Sequence, residues 1–258
     1  MSHYDLYAIG NALVDSEFEV SDALLQSMGV DKRHMTLIDT PRRAELLSHV
    51  KANTPRQTGG GSAGNTVVAL AQLGGKAFYS CKVAHDDLGD LYVKDLQARG
   101  VDTNLTHTRA SNGQTGSCMV LVTPDAERSM CTFLGVSAEL DDAALHPHDI
   151  AKSKIYYMEG YLAASPTGLN AALKGRQIAK DAHVALALTL SDVSMIQFCK
   201  AGLDAMLGDG VDYLFCNQEE AQVWCGTQDL AEVRLQLQKL AKMVCMTRGP
   251  EGSEVITS

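Results

Sequence analysis

A chain of 258 residues with 45% apolar and 21% charged side chains has the length for a substantial buried core, which excludes a disordered segment, a fibre or a minimal binding module. Its net charge of -9 repels a phosphodiester backbone, and with no dense Lys/Arg run to override that repulsion, nucleic acid is not an expected partner. No apolar stretch approaches the roughly 20 residues that span a bilayer, and the start Met1-Ser-His-Tyr-Asp5 lacks the basic and apolar regions of a signal peptide, so no membrane partner is expected and the cytoplasm is the expected compartment.

In chain order, short apolar runs alternate with longer helical patterns. Strand-length runs cover Leu6 to Val14, Ala77 to Ala84, Ile155 to Leu162, Val184 to Leu190, Tyr213 to Cys216 and Met243 to Met246, most of them rich in β-branched or aromatic residues. Between them, apolar residues at three- and four-residue spacing predict helices over Asn65 to Leu73, Leu88 to Arg99, Thr167 to Asp181 and Leu230 to Lys242. This alternation predicts an α/β fold, a mostly parallel central sheet with helices on both faces. One region breaks the rhythm: Thr115 to Thr123 and Arg128 to Leu134, joined by Pro124-Asp-Ala-Glu127, read as a β-hairpin. Such an insertion suits a small flap, with Ser16 to Val20 and His34 to Ile38 as pairing candidates. The seven cysteines are widely spaced and never form C-x-x-C, so they read as buried, reduced, small apolar side chains.

The clearest local signal is Gly59-Gly-Gly-Ser-Ala-Gly-Asn65, followed by a helical pattern that Gly74 can end. Consecutive glycines let the backbone approach a ligand, and the helix that follows presents free N–H groups. Gly59, Gly61 and Gly64 also match a dinucleotide-binding fingerprint, with Asp86 as its distant acid. The polar, proline-containing Asn53 to Thr58 is, however, not the buried strand that fingerprint follows, so a dehydrogenase falls well behind. Lys76 cannot serve a Walker A loop, because Ala77 follows it and the upstream glycine is missing. A glycine turn that merely starts a helix stays open on these residues alone.

With this loop among them, seven elements stand in a fixed order: Gly10-Asn-Ala-Leu-Val-Asp15; Gly60, Gly61, Ser62 and Asn65; Val83-Ala-His-Asp-Asp-Leu-Gly89; Gln114-Thr-Gly116; Glu127-Arg-Ser129; Asn217-Gln-Glu-Glu220; and Thr247-Arg-Gly-Pro-Glu-Gly252. In this order the chain resembles the ribokinase-like (PfkB-type) carbohydrate and nucleoside kinases. Gly10-Asn11 and the Glu-Arg-Ser stretch lean toward the adenosine-kinase branch. The resemblance implies ATP-dependent phosphoryl transfer, with Mg²⁺, to an alcohol of a sugar or nucleoside.

The resemblance also assigns residues. Asp15, with Asn11 beside it, would accept hydrogen bonds from sugar hydroxyls; a solvated strand-end acid is the alternative. Asn65 would contact a hydroxyl or simply start its helix. Gly60 and Gly61 would be the hinge on which a lid, formed from segments of about 14–38 and 113–136, closes to exclude water. Arg128 would reach the transferred phosphate from the lid or face solvent. Asn217 and Glu220 would orient a hydrated Mg²⁺ near the ATP phosphates, or cap a helix. Thr247, Gly249 and Gly252 would contact the nucleotide, and Arg248 departs from the small residue common at its position.

A D-T-x-G-A-G-D stretch, whose last Asp takes the alcohol's proton in that family, is absent up to Ser258, and Asp209 is the nearest lookalike. The chain therefore reads as a single ribokinase-like domain over 1–258 whose C-terminal part is missing and which exposes apolar sheet surface. A catalytically inactive sugar- or nucleoside-binding protein is the alternative function, and a homodimer through the lid is a further arrangement that an apolar flap face allows.

Overall fold

The apolar runs become strands where their side chains alternate between two buried faces, and the computed structural model describes residues 3–51 and 55–257. Met1, Ser2, Asn53, Thr54 and Ser258, on which several of the sequence expectations touch, lie outside the described residues. In chain order the strands and helices are Tyr4–Ile9 (β1), Leu13–Glu19 (β2), Asp22–Ser27 (α1), Met35–Leu37 (β3), Thr40–His49 (α2), Arg56–Gly60 (β4), Ser62–Gln72 (α3), Ala77–Ser80 (β5) and Asp87–Ala98 (α4). They continue with Asp102–Thr103 (β6), Ser117–Val122 (β7), Arg128–Phe133 (β8), Pro147–Ala151 (α5), Ser153–Glu159 (β9), Pro166–Asp181 (α6), Ala185–Thr189 (β10), Val193–Phe198 (α7) and Lys200–Leu207 (α8). The last are Val211–Asn217 (β11), Gln218–Cys225 (α9), Leu230–Leu237 (α10), Ala241–Thr247 (β12) and Ser253–Thr257 (β13).

An eight-stranded sheet runs β13-β12-β11-β10-β9-β1-β5-β6, parallel except for β13. From β1 the chain winds to β5 and β6 on one side, then returns to β9 and proceeds outward to β12 on the other. The winding thus reverses between β1 and β9, and their carboxyl ends flank the crevice where open α/β sheets bind ligands.

A second, five-stranded sheet runs β3-β8-β7-β2-β4. The predicted hairpin is β7–β8, antiparallel, while β2 and β3 join it in parallel. Its fifth strand, β4, went unread in the sequence because Arg56-Gln-Thr-Gly-Gly60 has no apolar alternation; it is held by antiparallel pairing to β2 instead. The single run Leu6 to Val14 divides into β1 and β2 at Gly10-Asn11-Ala12. The helix predicted over Leu230 to Lys242 ends at Leu237, since Ala241 already belongs to β12.

Tyr7, Ile9, Tyr156, Met158, Leu188, Leu214 and Val244 point to one face and pack on α5 to α10, while Ala8, Tyr79 and Tyr157 point to the other, beneath α3 and α4. Coverage is uneven. On the α3 side the cover does not extend over β11 and β13, where Phe215 is 36% and Val255 59% exposed. The second sheet has its own core, in which Phe18, Met119 and Leu121 meet Leu25 and Leu46 from α1 and α2. The seven cysteines are unpaired, and Cys81, Cys118, Cys131 and Cys216 are buried.

Leu188 lies at the centre of the larger core with no exposure, so Leu188→Ala is expected to destabilise the protein by about 2–5 kcal/mol. Urea unfolding checks this, and a cost below about 1 kcal/mol would mean that the core collapses around the deletion.

Candidate active site

The carboxyl end of β1 turns at Gly10-Asn11 into β2, and β2 carries Asp15 alongside β4. In register Leu13 faces Gly60 and Asp15 faces Thr58. The Asp15 carboxyl lies against Gly60 so closely that a Cβ there would collide with it. Burial alone pushes the Asp15 pKa up. A carboxylate taken partly out of water without a cation is a strong acceptor, of the kind that a pair of vicinal hydroxyls can satisfy.

Gly61 is the N-cap of α3, with φ +89°, and a Cβ there would run into the Asn11 carbonyl. Only glycine takes this conformation readily and leaves this room. Asn65 stands exposed in the first turn of α3, its backbone N–H bonded to the Gly61 carbonyl at 2.8 Å. Helix α4 steadies the diglycine from behind: the Tyr92 hydroxyl donates to the Gly60 carbonyl at 2.8 Å, and Asp95 accepts from the Gly59 N–H at 3.2 Å. The structure thus brings Asn11, Asp15, Gly60, Gly61 and Asn65 together through successive contacts where β1, β4 and α3 meet.

The sequence reading missed Glu159, the last residue of β9 and 1% exposed. Its Oε2 accepts from the Ala63 N–H at 2.7 Å and its Oε1 from the Asn11 N–H at 3.2 Å. Burial raises its pKa to about 7, opposed by those two donors. The available signal was an acid ending the apolar run Ile155-Tyr-Tyr-Met158 directly before a glycine.

A second group of predicted residues gathers at the carboxyl ends of β11 and β12, where Asn217 and Thr247 are register partners. Asn217 and Glu220 form a complete capping box: Oδ1 accepts from the Glu220 N–H at 2.8 Å, and Glu220 accepts from the Asn217 backbone N–H at 3.1 Å and its Nδ2 at 2.7 Å. Glu220 is buried, which raises its pKa. After β12, Gly249 and Gly252 take φ of +56° and +87° with open space where side chains would be, a backbone turn free for a ligand to approach. Arg248 is drawn aside, its Nε donating to Gln218 at 3.0 Å and its other end paired with Glu251. Three strand spacings separate β1 from β11, so the two groups lie roughly 14 Å apart.

Other singled-out residues fall elsewhere. Arg128 sits at the hairpin end, exposed and 3.9 Å from Glu17, and β2–β7 pairing places it opposite neither Asp15 nor Gly60. Asp86 caps α4 and accepts from the Thr115 N–H and hydroxyl, a structural role that leaves no carboxylate for a dinucleotide ribose. Asp209 is tied to Arg176 and Lys180 at 2.6 and 2.8 Å. It also lines a cavity of about 600 Å³ at the amino ends of β10 to β12, the wrong edge of the sheet for a ligand.

The model of the pfkB family carbohydrate kinases matches residues 30–258. An adenosine kinase of Schizophyllum commune is 26% identical over an alignment of 277 residues that covers 100% of this chain and 79% of the relative. A ribokinase of Mus musculus is 24% identical, over 77% of this chain and 60% of its own length. The crystal structure of the adenosine kinase from Sinorhizobium meliloti superposes with a TM-score of 0.88 at 35% identity, covering 98% of this chain and 77% of that one.

Two outcomes follow from the site's geometry. Gly60→Ala should leave the fold intact but displace the Asp15 carboxylate and weaken sugar binding at least about tenfold, whereas Asp209→Asn should leave binding unchanged; calorimetry with nucleosides and sugars checks both. Asp15, Glu159 and Glu220 have folded pKa values raised above their unfolded values, so the native state holds the extra protons. Their stabilising contribution is full below the unfolded pKa values and is lost as pH rises through the folded ones. Urea titrations should therefore show the unfolding free energy falling by on the order of 1–3 kcal/mol between about pH 5 and 8, and a rise across that window would contradict the assignment.

Proposed function

The chain belongs to the pfkB family of carbohydrate kinases and uses ATP to phosphorylate a nucleoside or sugar; from that premise we propose that the acceptor is an adenosine-like nucleoside whose ribose is held by Asp15 and Asn11. The observation that carries this reading is the lodging of the Asp15 carboxyl against Gly60, at the carboxyl end of β1 where the winding reverses. The adenosine kinases of Schizophyllum commune and Sinorhizobium meliloti, each matched over almost the whole of this chain, support the nucleoside.

In this reading Asp15 accepts from vicinal ribose hydroxyls and fixes the sugar ring, with Asn65 and the Gly60–Gly61 backbone completing the cradle. Orientation of this kind supplies much of the rate in phosphoryl transfer, because the reaction needs an in-line approach more than covalent help. The five-stranded sheet is the lid, and Gly60–Gly61 join it to α3 of the main body. Closing it removes water that would compete with the alcohol for the phosphoryl group. Arg128 reaches the phosphates only through such a closure. Exposed apolar Met35, Leu37 and Met130 on β3 and β8 support pairing of two copies through this lid.

ATP is held by Asn217, Thr247, Gly249 and Gly252, whose open backbone turn fits a nucleotide. A caged metal does not fit, since Glu220 spends its carboxylate on Asn217 and the described residues hold no cluster of three metal-ligating side chains. A hydrated Mg²⁺ carried by the phosphates does fit, with Glu220 reached through water, and it would neutralise phosphate charge.

ADP release by the full-length gene product, measured with adenosine, inosine, ribose and fructose, tests the reading. Turnover favouring a nucleoside is expected, with Asp15→Asn lowering kcat/KM by about a hundredfold or more. Preference for a free sugar would overturn the nucleoside assignment, and ligand binding without turnover would identify a non-catalytic binding protein.

A further inference from the structure

Glu159 stands where the two windings of the sheet part, and no step of the proposed chemistry touches it. A carboxyl group this deeply buried is costly unless paired, and its partners are two backbone N–H groups, not a cation. Those two donors belong to the segments that matter most here. Asn11 lies in the turn leading to the Asp15 strand, and Ala63 lies in the first turn of α3, two residues past Gly61. The negative end is also placed at the amino end of a helix, where the peptide dipoles favour it.

The surroundings are built for this contact. A Cβ on Gly10 would lie 2.5 Å from the Glu159 Oε2 and 2.6 Å from the Ala63 Cβ, so glycine at position 10 makes the room in which carboxyl, turn and helix meet. The titratable groups coupled to Glu159 are Tyr79 and Cys81 from β5 and the residue beyond its end, Tyr92 from α4, Tyr157 on its own strand and Tyr161 just after it. Burial holds all five above their ordinary pKa values, so they stay neutral at physiological pH.

We propose that Glu159 is a positioning residue of the acceptor site: its carboxylate ties the Gly10–Asn11 turn to the start of α3 and thereby sets the gap between Asp15 and the Gly60–Gly61 hinge. The ionised form accepts from both N–H groups at once. The protonated form places its own O–H against one of them and keeps at most a single good bond. Ionisation of Glu159 is therefore coupled to the tightness of the hinge. This inference rests on the reading that Asp15 and the diglycine hold the sugar, but its first test does not.

That test is the pH titration of backbone amide resonances in the free full-length protein. The Asn11 and Ala63 amides should shift together in one step near neutral pH, the step should vanish in Glu159→Gln, and it should persist in Asp15→Asn. Glu159→Gln keeps the shape but offers an NH₂ to one N–H. It should therefore raise amide exchange across residues 59–66 and raise KM for the acceptor about tenfold, with kcat changing less than about threefold. Glu159→Asp, too short to span both donors, should not restore the wild-type KM. Flat Asn11 and Ala63 amides in the wild type, a titration that survives in Glu159→Gln, or unchanged exchange and KM in that variant would overturn the proposal. Should the wild type bind no nucleoside or sugar while the amide titration holds, the substrate reading fails and the tie between turn and helix stands.

Discussion

Asp15 can rest against the chain at position 60 only because residue 60 has no side chain, and residue 61 can turn into α3 beneath the Asn11 carbonyl only because it has none either. This double close approach joins the two sheets of the molecule. It brings an acid from an inner strand of the small sheet to the carboxyl end of β1 in the large sheet, where parallel strands leave backbone groups unfilled. Much of what surrounds it acts as support, including the Tyr92 hydroxyl on the Gly60 carbonyl and Asp95 on the Gly59 N–H.

Three acids near the crevices share one electrostatic situation. Asp15, Glu159 and Glu220 are removed from water without a matching cation, and each is pushed toward the protonated form. The surface acids behave oppositely: Asp125 and Asp209, both exposed and paired with lysine, are held well below the usual carboxylate range. Stability is thus given up around the site while ordinary ion pairs decorate the exterior, the pattern expected where charge is positioned for a ligand. At Glu159 the cost falls on a residue that meets the turn and the helix instead of the substrate, so geometry and ionisation become one variable.

In the proposed reading, Asn217 and Glu220 at the carboxyl ends of β11 and β12 serve two purposes. The Asn217–Glu220 capping box ends a strand and starts α9 in four residues, which fixes the orientation of groups at the mouth of the β11–β12 pair. A cap and a ligand-orienting pair are compatible, because rigidity in the first is what precision in the second requires.

The amino-acid order alone determined the alternating strand and helix plan, the hairpin, the parallel sheet and the loop at Gly59 to Asn65, since these depend on local periodicity and on the backbone freedom of glycine. Asp15, Gly60 and Asn217 were legible as site candidates through an ordered set of short motifs. Tertiary structure alone decided that Leu6 to Val14 is two strands in different sheets, that Arg56 to Gly60 is a strand at all, and that α10 stops at Leu237. Pairing partners settle those questions, and partners are distant in sequence. The role of Glu159 was invisible for the same reason: its neighbours Asn11 and Ala63 are 148 and 96 residues away. An acid at the end of an apolar strand looks solvated until the fold closes over it.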